Sequence, residues 1–216
     1  MPSHQANSKE VQALPVTHPE NFPVASILCP PHLRPAIAAI YAFARAADDI
    51  ADEGQENAAQ RLEALQSFRH ELLQGPTQQG PHPEIFLPLH QVIQDFNLPI
   101  QYLNNLLKAF EQDVLATAQS SQAKTIDELL QYCELSANPV GRLLLHLYGV
   151  KDETALRQSD AICSALQLIN FWQDLSEDIP RGRFYVPQNL QASMDRSQLV
   201  QELCQHARAL MMSGAP

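Results

Sequence analysis

The chain has 216 residues, of which 45% are hydrophobic, and this is enough to bury one large core or two small ones. Its formal net charge of −10 argues against nucleic-acid binding, because that function needs a basic surface. No run of 18 apolar residues predicts a membrane-spanning segment, and the polar first 20 residues lack the apolar stretch of a secretion signal.

The four cysteines have no paired spacing of the kind that metal sites and redox motifs use. We therefore expect reduced thiols in a cytoplasmic protein, with neither disulfide nor zinc. The four positions are Cys29, Cys133, Cys163 and Cys204.

Helices account for all the predicted elements, because only 7 glycines interrupt long stretches of Ala, Leu and Gln. We expect a flexible leader over residues 1–20 and a single domain over residues 21–216. The Asn138-Pro139 pair should break one helix, and residues 183–187 should form an extended loop after another. The predicted helices, roughly seven in number, cover residues 36–52, 57–74, 84–96, 100–116, 126 onward, 152–178 and 195–212.

A first acidic cluster ends the first of these helices. Asp48 and Asp52 stand at i and i+4, and Tyr41 and Arg45 precede them on nearly the same stripe. An arginine one turn before such carboxylates suits a site where its planar fork binds phosphate oxygens. A surface ion pair between Arg45 and Asp49 is the equally simple alternative.

A second cluster lies on the predicted helix over residues 152–178, where Gln167, Asn170, Asp174 and Asp178 share one stripe of an otherwise apolar helix. A polar stripe among apolar residues is costly unless it faces water, a ligand or a partner stripe. We expect the two clusters to face each other across a cavity. The alternative is that both face solvent.

Both clusters pair like charges at a spacing where they repel each other. Two such pairs, flanked by apolar residues, indicate that a cation lies between them. The natural candidate is Mg²⁺, a hard ion that binds through carboxylates and substrate phosphates.

With these clusters in place, the sequence resembles the squalene/phytoene synthase branch of the trans-isoprenyl diphosphate synthases, and most closely its bacterial hopanoid-pathway members, the squalene/hydroxysqualene synthases. Five motifs in the same order carry the resemblance from about residue 21 to the end of the chain. They are Asn21–Ser26, Tyr41–Asp52, Ser136–Gly141, Gln167–Asp174 and Arg181–Gln188.

The resemblance implies an all-α isoprenoid synthase fold, a helical bundle around a central cavity. It implies Mg²⁺ ions held by Asp48, Asp52, Asn170, Asp174 and Asp178. It places Tyr41 near the reacting carbons, with a catalytic role beside Arg45 and the four aspartates. The substrate-binding residues that it implies are Phe22, Arg45, Gln167, Asn170, Arg183 and Tyr185.

The activity that the resemblance implies is conversion of presqualene diphosphate and water to hydroxysqualene and diphosphate. A second reading is condensation of two farnesyl diphosphates to presqualene diphosphate or squalene, or a phytoene-type condensation. Such apolar substrates could bring the protein to a membrane surface. Family members usually continue with further C-terminal helices, so we expect this domain to be incomplete at its C-terminus.

Two other readings remain. Head-to-tail chain elongation fits Asp48-Asp49-Ile50-Ala51-Asp52 but not the second motif, which reads Asp-Leu-Ser-Glu-Asp. A catalytically silent family member that acts as an assembly or interaction protein would be marked by loss of motif aspartates. All four are present.

Overall fold

The computed structural model describes residues 29–75, 80–123 and 125–215. Within these segments every regular element is a helix, and an isolated parallel bridge between Gln122 and Phe184 is the one β-type pairing. The predicted all-α class is therefore confirmed. The leader over residues 1–20 and the predicted substrate-binding Phe22 lie outside the described residues.

Ten α-helices and one short 3-10 helix follow one another along the described segments. The 3-10 helix covers Ile179–Arg181, between the eighth and ninth α-helices. The α-helices are α1 (Arg34–Asp52), α2 (Ala58–Gln74), α3 (Pro83–Phe96), α4 (Ile100–Gln119), α5 (Ile126–Ser136), α6 (Asn138–Leu147), α7 (Glu153–Gln173), α8 (Leu175–Asp178), α9 (Gln188–Ser193) and α10 (Arg196–Gly214).

Side-chain caps explain where several of these helices begin. Asn57 and Gln60 form a reciprocal capping box at the start of α2, and Asp195 and Gln198 form another at the start of α10. At α5, the side chain of Thr125 accepts a hydrogen bond from the backbone N–H of Glu128. These contacts satisfy backbone donors that the first helical turn leaves without partners.

The predicted continuous helix over residues 152–178 is wrong at one point. Helix α7 ends at Gln173, and Asp174 adopts φ −94° and ψ 12° before α8 begins. Aspartate is a weak helix former because its short polar side chain competes for nearby backbone groups. The break means that Asp178 does not continue the stripe of Asn170 and Asp174 on one straight helix.

The larger core cluster belongs to α1–α4, with two leucines from α6. Its centre is a group of three fully buried rings, Phe43, Phe68 and Phe86, whose centroids lie 4.6–6.0 Å apart. Such aromatic packing stabilises a core beyond the area that it buries. This cluster holds α1 in place and with it the first acidic motif.

A smaller core cluster joins α5 to α7. Leu129 and Cys133 pack against Leu168 and Phe171, and Tyr185 lies at the edge of the cluster. This cluster fixes the end of α7, where the second acidic motif begins. The two motifs thus belong to different packing units that meet at the site described below.

Two sequence-based predictions concern disulfides and membrane spans. All four cysteines are free thiols, as the sequence predicts. Burial raises the pKa of Cys133 to about 12, so this thiol is inert at neutral pH. Among the described helices, none combines the length and apolarity that a membrane crossing needs.

Candidate functional site

Arg183 joins the two acidic motifs. One terminal nitrogen of its guanidinium, Nη2, donates a hydrogen bond to Asp52 at the end of α1. The other, Nη1, lies 3.9 Å from Oδ1 of Asp178 at the end of α8. The two motifs are 126 residues apart in the sequence, and the structure brings both to the same arginine.

The backbone around Arg183 turns sharply. Gly182 has φ +80°, a left-handed conformation that glycine adopts without steric penalty. Its N–H donates to the carbonyl of Ile179, and the N–H of Arg183 donates to the carbonyl of Asp178. This turn sends the chain back past α8, which places the arginine side chain beside the second motif.

At the end of α1, Arg45 pairs with both neighbouring acids. Its Nη1 lies 3.1 Å from Oδ2 of Asp48, and its Nη2 lies 2.7 Å from Oδ1 of Asp49. The simple alternative of a helix-surface pair with Asp49 is therefore present in the structure. Because Asp48 binds the same guanidinium, that pair also forms part of the acidic cluster.

The acids are crowded and partly removed from water. Burial, followed by the nearby charge of Asp52, raises the pKa of Asp48 to about 6, although Arg45 opposes the shift. Burial also raises the pKa of Asp178 against the opposing charge of Arg183. Asp174, by contrast, is exposed at the α7–α8 break.

Tyr185 is held beside this cluster by α7. Its ring stacks on Phe171, with centroids 3.7 Å apart and planes 7° apart, and its carbonyl accepts a hydrogen bond from Trp172 Nε1 at 3.1 Å. Burial raises the pKa of the Tyr185 phenol, so the group stays protonated and can donate a hydrogen bond.

A half-buried pair that the sequence patterns did not predict consists of Asp113 on α4 and Tyr132 on α5. The Tyr132 hydroxyl donates to Asp113 Oδ2 at 2.5 Å. Burial raises the pKa of Asp113 to about 7; the hydrogen bond from Tyr132 lowers it, and the charges of Asp52 and Asp48 raise it further. The pair thus lies within electrostatic reach of the first motif.

A cavity of about 260 Å³ adjoins this pair. Its lining combines carboxyl, amide and hydroxyl groups with apolar side chains, and it includes Asp113, Gln122, Tyr132, Arg183 and Tyr185. The volume is below the usual range for small-molecule pockets of roughly 300–1,000 Å³. The cavity thus suits water or a small part of a larger ligand.

A signal for Asp113 was present in the sequence. Leu106 and Ala109 are buried on α4, and Asp113 follows them at i+7 and i+4, so a carboxylate stands on an apolar stripe. Tyr132 has a weaker signal, because it lies beside the buried Cys133 on α5. Neither pattern reveals that the two residues face each other.

The remaining predicted residues within the described segments lie on α1 and α7. Tyr41 is half-buried about three turns before Asp52 on α1, against the larger core cluster. Gln167 and Asn170 are half-buried on α7. The roles predicted for these residues remain predictions.

The described residues do not by themselves provide a complete set of metal ligands. Across the parts of the chain that the structure describes, no three acidic, histidine or cysteine side chains converge closely enough to hold one metal ion. Arg183 lies between Asp52 and Asp178. An ion at this site would therefore need ligands from a bound molecule or from water.

Comparison with known proteins yields a consistent set of relatives. The profile of the squalene/phytoene synthase family matches residues 16–215. Hydroxysqualene synthases from Zymomonas mobilis and Rhodopseudomonas palustris are 37% and 38% identical to the chain over 172 and 173 residues. A presqualene diphosphate synthase from Rhodopseudomonas palustris is 29% identical over 170 residues.

Coverage of these relatives is uneven. The matches include 79% of this chain but only 56% of each hydroxysqualene synthase and 59% of the presqualene diphosphate synthase. The chain thus spans somewhat more than half the length of these relatives.

Solved structures agree with the sequence matches. The structure of the squalene synthase HpnC from Alicyclobacillus acidocaldarius superimposes with a TM-score of 0.78 at 34% identity, over 91% of this chain and 77% of that one. A dehydrosqualene synthase superimposes with a TM-score of 0.67 at 23% identity, over 86% of this chain and 67% of that one, and this supports the fold alone.

Proposed function

Because the chain belongs to the squalene/phytoene synthase family, we propose that it binds an isoprenoid diphosphate and ionises it in an Mg²⁺-dependent reaction. The substrate that we favour is presqualene diphosphate, with water as the second reactant and hydroxysqualene and diphosphate as products. The two hydroxysqualene synthases at 37% and 38% identity support this choice.

The observation that carries the proposal is the position of Arg183 between Asp52 and Asp178. A guanidinium offers a planar fork that matches phosphate oxygens, and the acids on either side supply oxygen ligands for a cation. A diphosphate needs both kinds of partner, because it is an anion that Mg²⁺ bridges to carboxylates.

The donor set fits Mg²⁺. This ion is usually held by one or two carboxylates, with substrate phosphates and water completing its octahedron, so no cluster of three protein acids is needed. When bound, Mg²⁺ would neutralise charge on the departing diphosphate. The residues that would hold it are Asp48, Asp52, Asn170, Asp174 and Asp178.

The chain's own residues have separate tasks in this proposal. Arg45 and Arg183 bind diphosphate oxygens and stabilise the negative charge that develops as the C–O bond breaks. Tyr185 donates a hydrogen bond at the same end of the substrate. Phe22 and Tyr41 are assigned to the part of the isoprenoid near the reacting carbons, and Gln167 and Asn170 to the orientation of the diphosphate.

A second candidate reaction is the condensation of two farnesyl diphosphates to presqualene diphosphate. Presqualene diphosphate synthases at 29% and 34% identity favour it, and it uses the same diphosphate chemistry. Either substrate carries long apolar chains, so peripheral association of this protein with a membrane surface is part of the proposal.

Product identification tests the proposal. The protein is incubated with Mg²⁺ and either presqualene or farnesyl diphosphate in water enriched in ¹⁸O, and the products are analysed by mass spectrometry. Hydroxysqualene carrying ¹⁸O, formed from presqualene diphosphate, is the expected result. Presqualene diphosphate formed from farnesyl diphosphate would favour the second reaction. Absence of any diphosphate release would contradict both and favour an interaction protein.

A further inference from the structure

The segment over residues 183–188, which carries Arg183, is held by Gln122, a residue far from both acidic motifs in the sequence. Gln122 lies between α4 and α5, and its side-chain amide donates to the carbonyl of Val186 at 2.5 Å and to Oε1 of Gln191 at 2.9 Å. Its backbone pairs with Phe184 in the isolated parallel bridge. Gln122 therefore contacts the Arg183 segment through its backbone and its side chain.

The assignment of the Gln122 amide follows from its partners. A backbone carbonyl such as that of Val186 can only accept, so the nitrogen end of the amide must face it. Both amide hydrogens are then used, one for each acceptor. Removal of the amide would take this donor away from the Val186 carbonyl. Because Val186 is buried, water would not readily replace the lost hydrogen bond.

Other contacts fix the ends of the segment. The N–H of Arg183 donates to the carbonyl of Asp178, and the N–H of Gln188 donates to the carbonyl of Ala123. Trp172 Nε1 donates to the carbonyl of Tyr185 from the opposite side. Between these points, Gln122 supplies the side-chain contact that joins the segment to the α4–α5 connection.

We propose that Gln122 is a positioning residue, which keeps the Arg183 guanidinium between Asp52 and Asp178 by fixing the backbone over residues 184–186. Gln122 also lines the cavity beside Arg183, and its proposed effect on ligand binding is exerted through Arg183. The consequence for ligand affinity rests on the proposed function, because Arg183 is there assigned to the diphosphate.

The test compares two substitutions that make the same change of charge. Gln122→Glu replaces the amide donor with a carboxylate of equal size, which repels the Val186 carbonyl when it is ionised. Gln119→Glu makes the same change at the exposed last residue of α4 and is the matched control. Gln122→Met, which removes the donor without adding charge, separates loss of the hydrogen bond from repulsion.

The first readout needs no ligand. Trypsin cleavage after Arg183 is followed by mass spectrometry under native conditions, with cleavage after the exposed Arg157 on α7 as a measure of general loosening. We expect Gln122→Glu and Gln122→Met to be cut after Arg183 several-fold faster than the parent, with unchanged cleavage after Arg157. Equal rates after Arg183 in the parent and both Gln122 variants would overturn the proposal.

The second readout is the affinity for inorganic diphosphate with Mg²⁺, measured by calorimetry. Loss of about one net hydrogen bond predicts roughly tenfold weaker binding for Gln122→Glu at pH 8 and no change for Gln119→Glu. Protonation of the introduced carboxyl restores a donor, so the difference from Gln119→Glu should shrink as the pH falls to and below the ordinary glutamate pKa of about 4.3. In an Arg183→Ala background, Gln122→Glu should have no further effect.

The outcomes separate the two proposals. If the parent protein binds no diphosphate, the proposed function fails, and the cleavage rates alone decide whether Gln122 positions the Arg183 segment. If the parent binds diphosphate but Gln122→Glu weakens binding equally with and without Arg183, Gln122 does not act through Arg183 and the inference is wrong.

Discussion

At the scale of single residues, the site depends on carboxylates whose surroundings oppose their charge. Asp48, Asp178 and Asp113 all have raised pKa values, and burial is the largest cause for each. Such perturbed groups concentrate at functional sites, because a bound cation can supply the positive charge that the folded protein lacks there. Arg183 lowers the pKa of Asp178 and Asp113, but both pKa values remain raised.

Asp113 provides a prediction for the pH dependence of stability. Its folded pKa of about 7 lies above the ordinary 3.8, so the fold favours the protonated form. This contribution is complete below pH 3.8 and is lost as pH rises to about 7. Asp113→Asn keeps an acceptor for Tyr132 and should stabilise the protein at pH 8, by an amount on the order of 3 kcal/mol, but little at pH 4.

Urea unfolding at the two pH values, with chelator present, measures this difference. The exposed Asp95 on α3 offers a control, and Asp95→Asn should leave the pH dependence as it is in the parent. An Asp113→Asn protein whose stability follows the same pH profile as the parent would show that Asp113 is already ionised in the fold.

At the scale of elements, side chains of α7 pack closely against the backbone of α6 at Gly141. A Cβ atom on Gly141 would lie 2.4 Å from Ser159 Oγ and 2.7 Å from Cys163 Sγ. Glycine is needed there because of this close approach, and the packing places α7 and its acidic end against the neighbouring helices.

Gly141→Ala tests this contact. The helix propensity of alanine would add about 1 kcal/mol of stability, but overpacking typically costs about 1–3 kcal/mol, so we expect net destabilisation. Removing the nearer obstacle in Gly141→Ala/Ser159→Ala should recover part of the loss, as residues in contact are coupled. Urea midpoints of the two single variants and the double variant measure the coupling. Additive effects would contradict the close approach.

The helix ends also separate what local sequence can predict from what it cannot. Caps such as Thr125 and Asp195 act within three residues, so their positions could be predicted from the sequence. The break at Asp174 was missed, because the apolar periodicity continues through Phe171 and Trp172 and only a weak helix former marks the end.

At the scale of the whole molecule, the cluster of α1–α4 contains most of the buried hydrophobic side chains among the described residues. Two neighbouring leucines on α2 allow the contribution of this cluster to stability to be tested. Leu72 is fully buried, whereas Leu73 is 55% exposed. Leu72→Ala should cost about 2–5 kcal/mol and Leu73→Ala within about 0.5 kcal/mol, as measured by urea unfolding. Similar costs for the two variants would mean that α2 does not pack as described.

The same scale explains which site residues the sequence could predict. The two acidic motifs are local patterns at i and i+4, so the sequence alone is enough to propose their residues, and it also predicts the Arg45–Asp49 pair that the structure contains. The pairing of Asp113 with Tyr132, and of Gln122 with Val186, depends on how α4, α5 and the Arg183 segment pack together. No spacing within a single helix encodes such contacts.

The central claim is that the two acidic motifs and Arg183 form one Mg²⁺-dependent diphosphate site. Calorimetric titration of the full chain with inorganic diphosphate, with and without Mg²⁺, tests it most directly. Binding should require Mg²⁺ and should weaken about tenfold or more in both Asp48→Asn and Asp174→Asn, while Asp127→Asn on the exposed surface of α5 leaves it unchanged. Equal affinity without Mg²⁺, or in either motif variant, would contradict the claim.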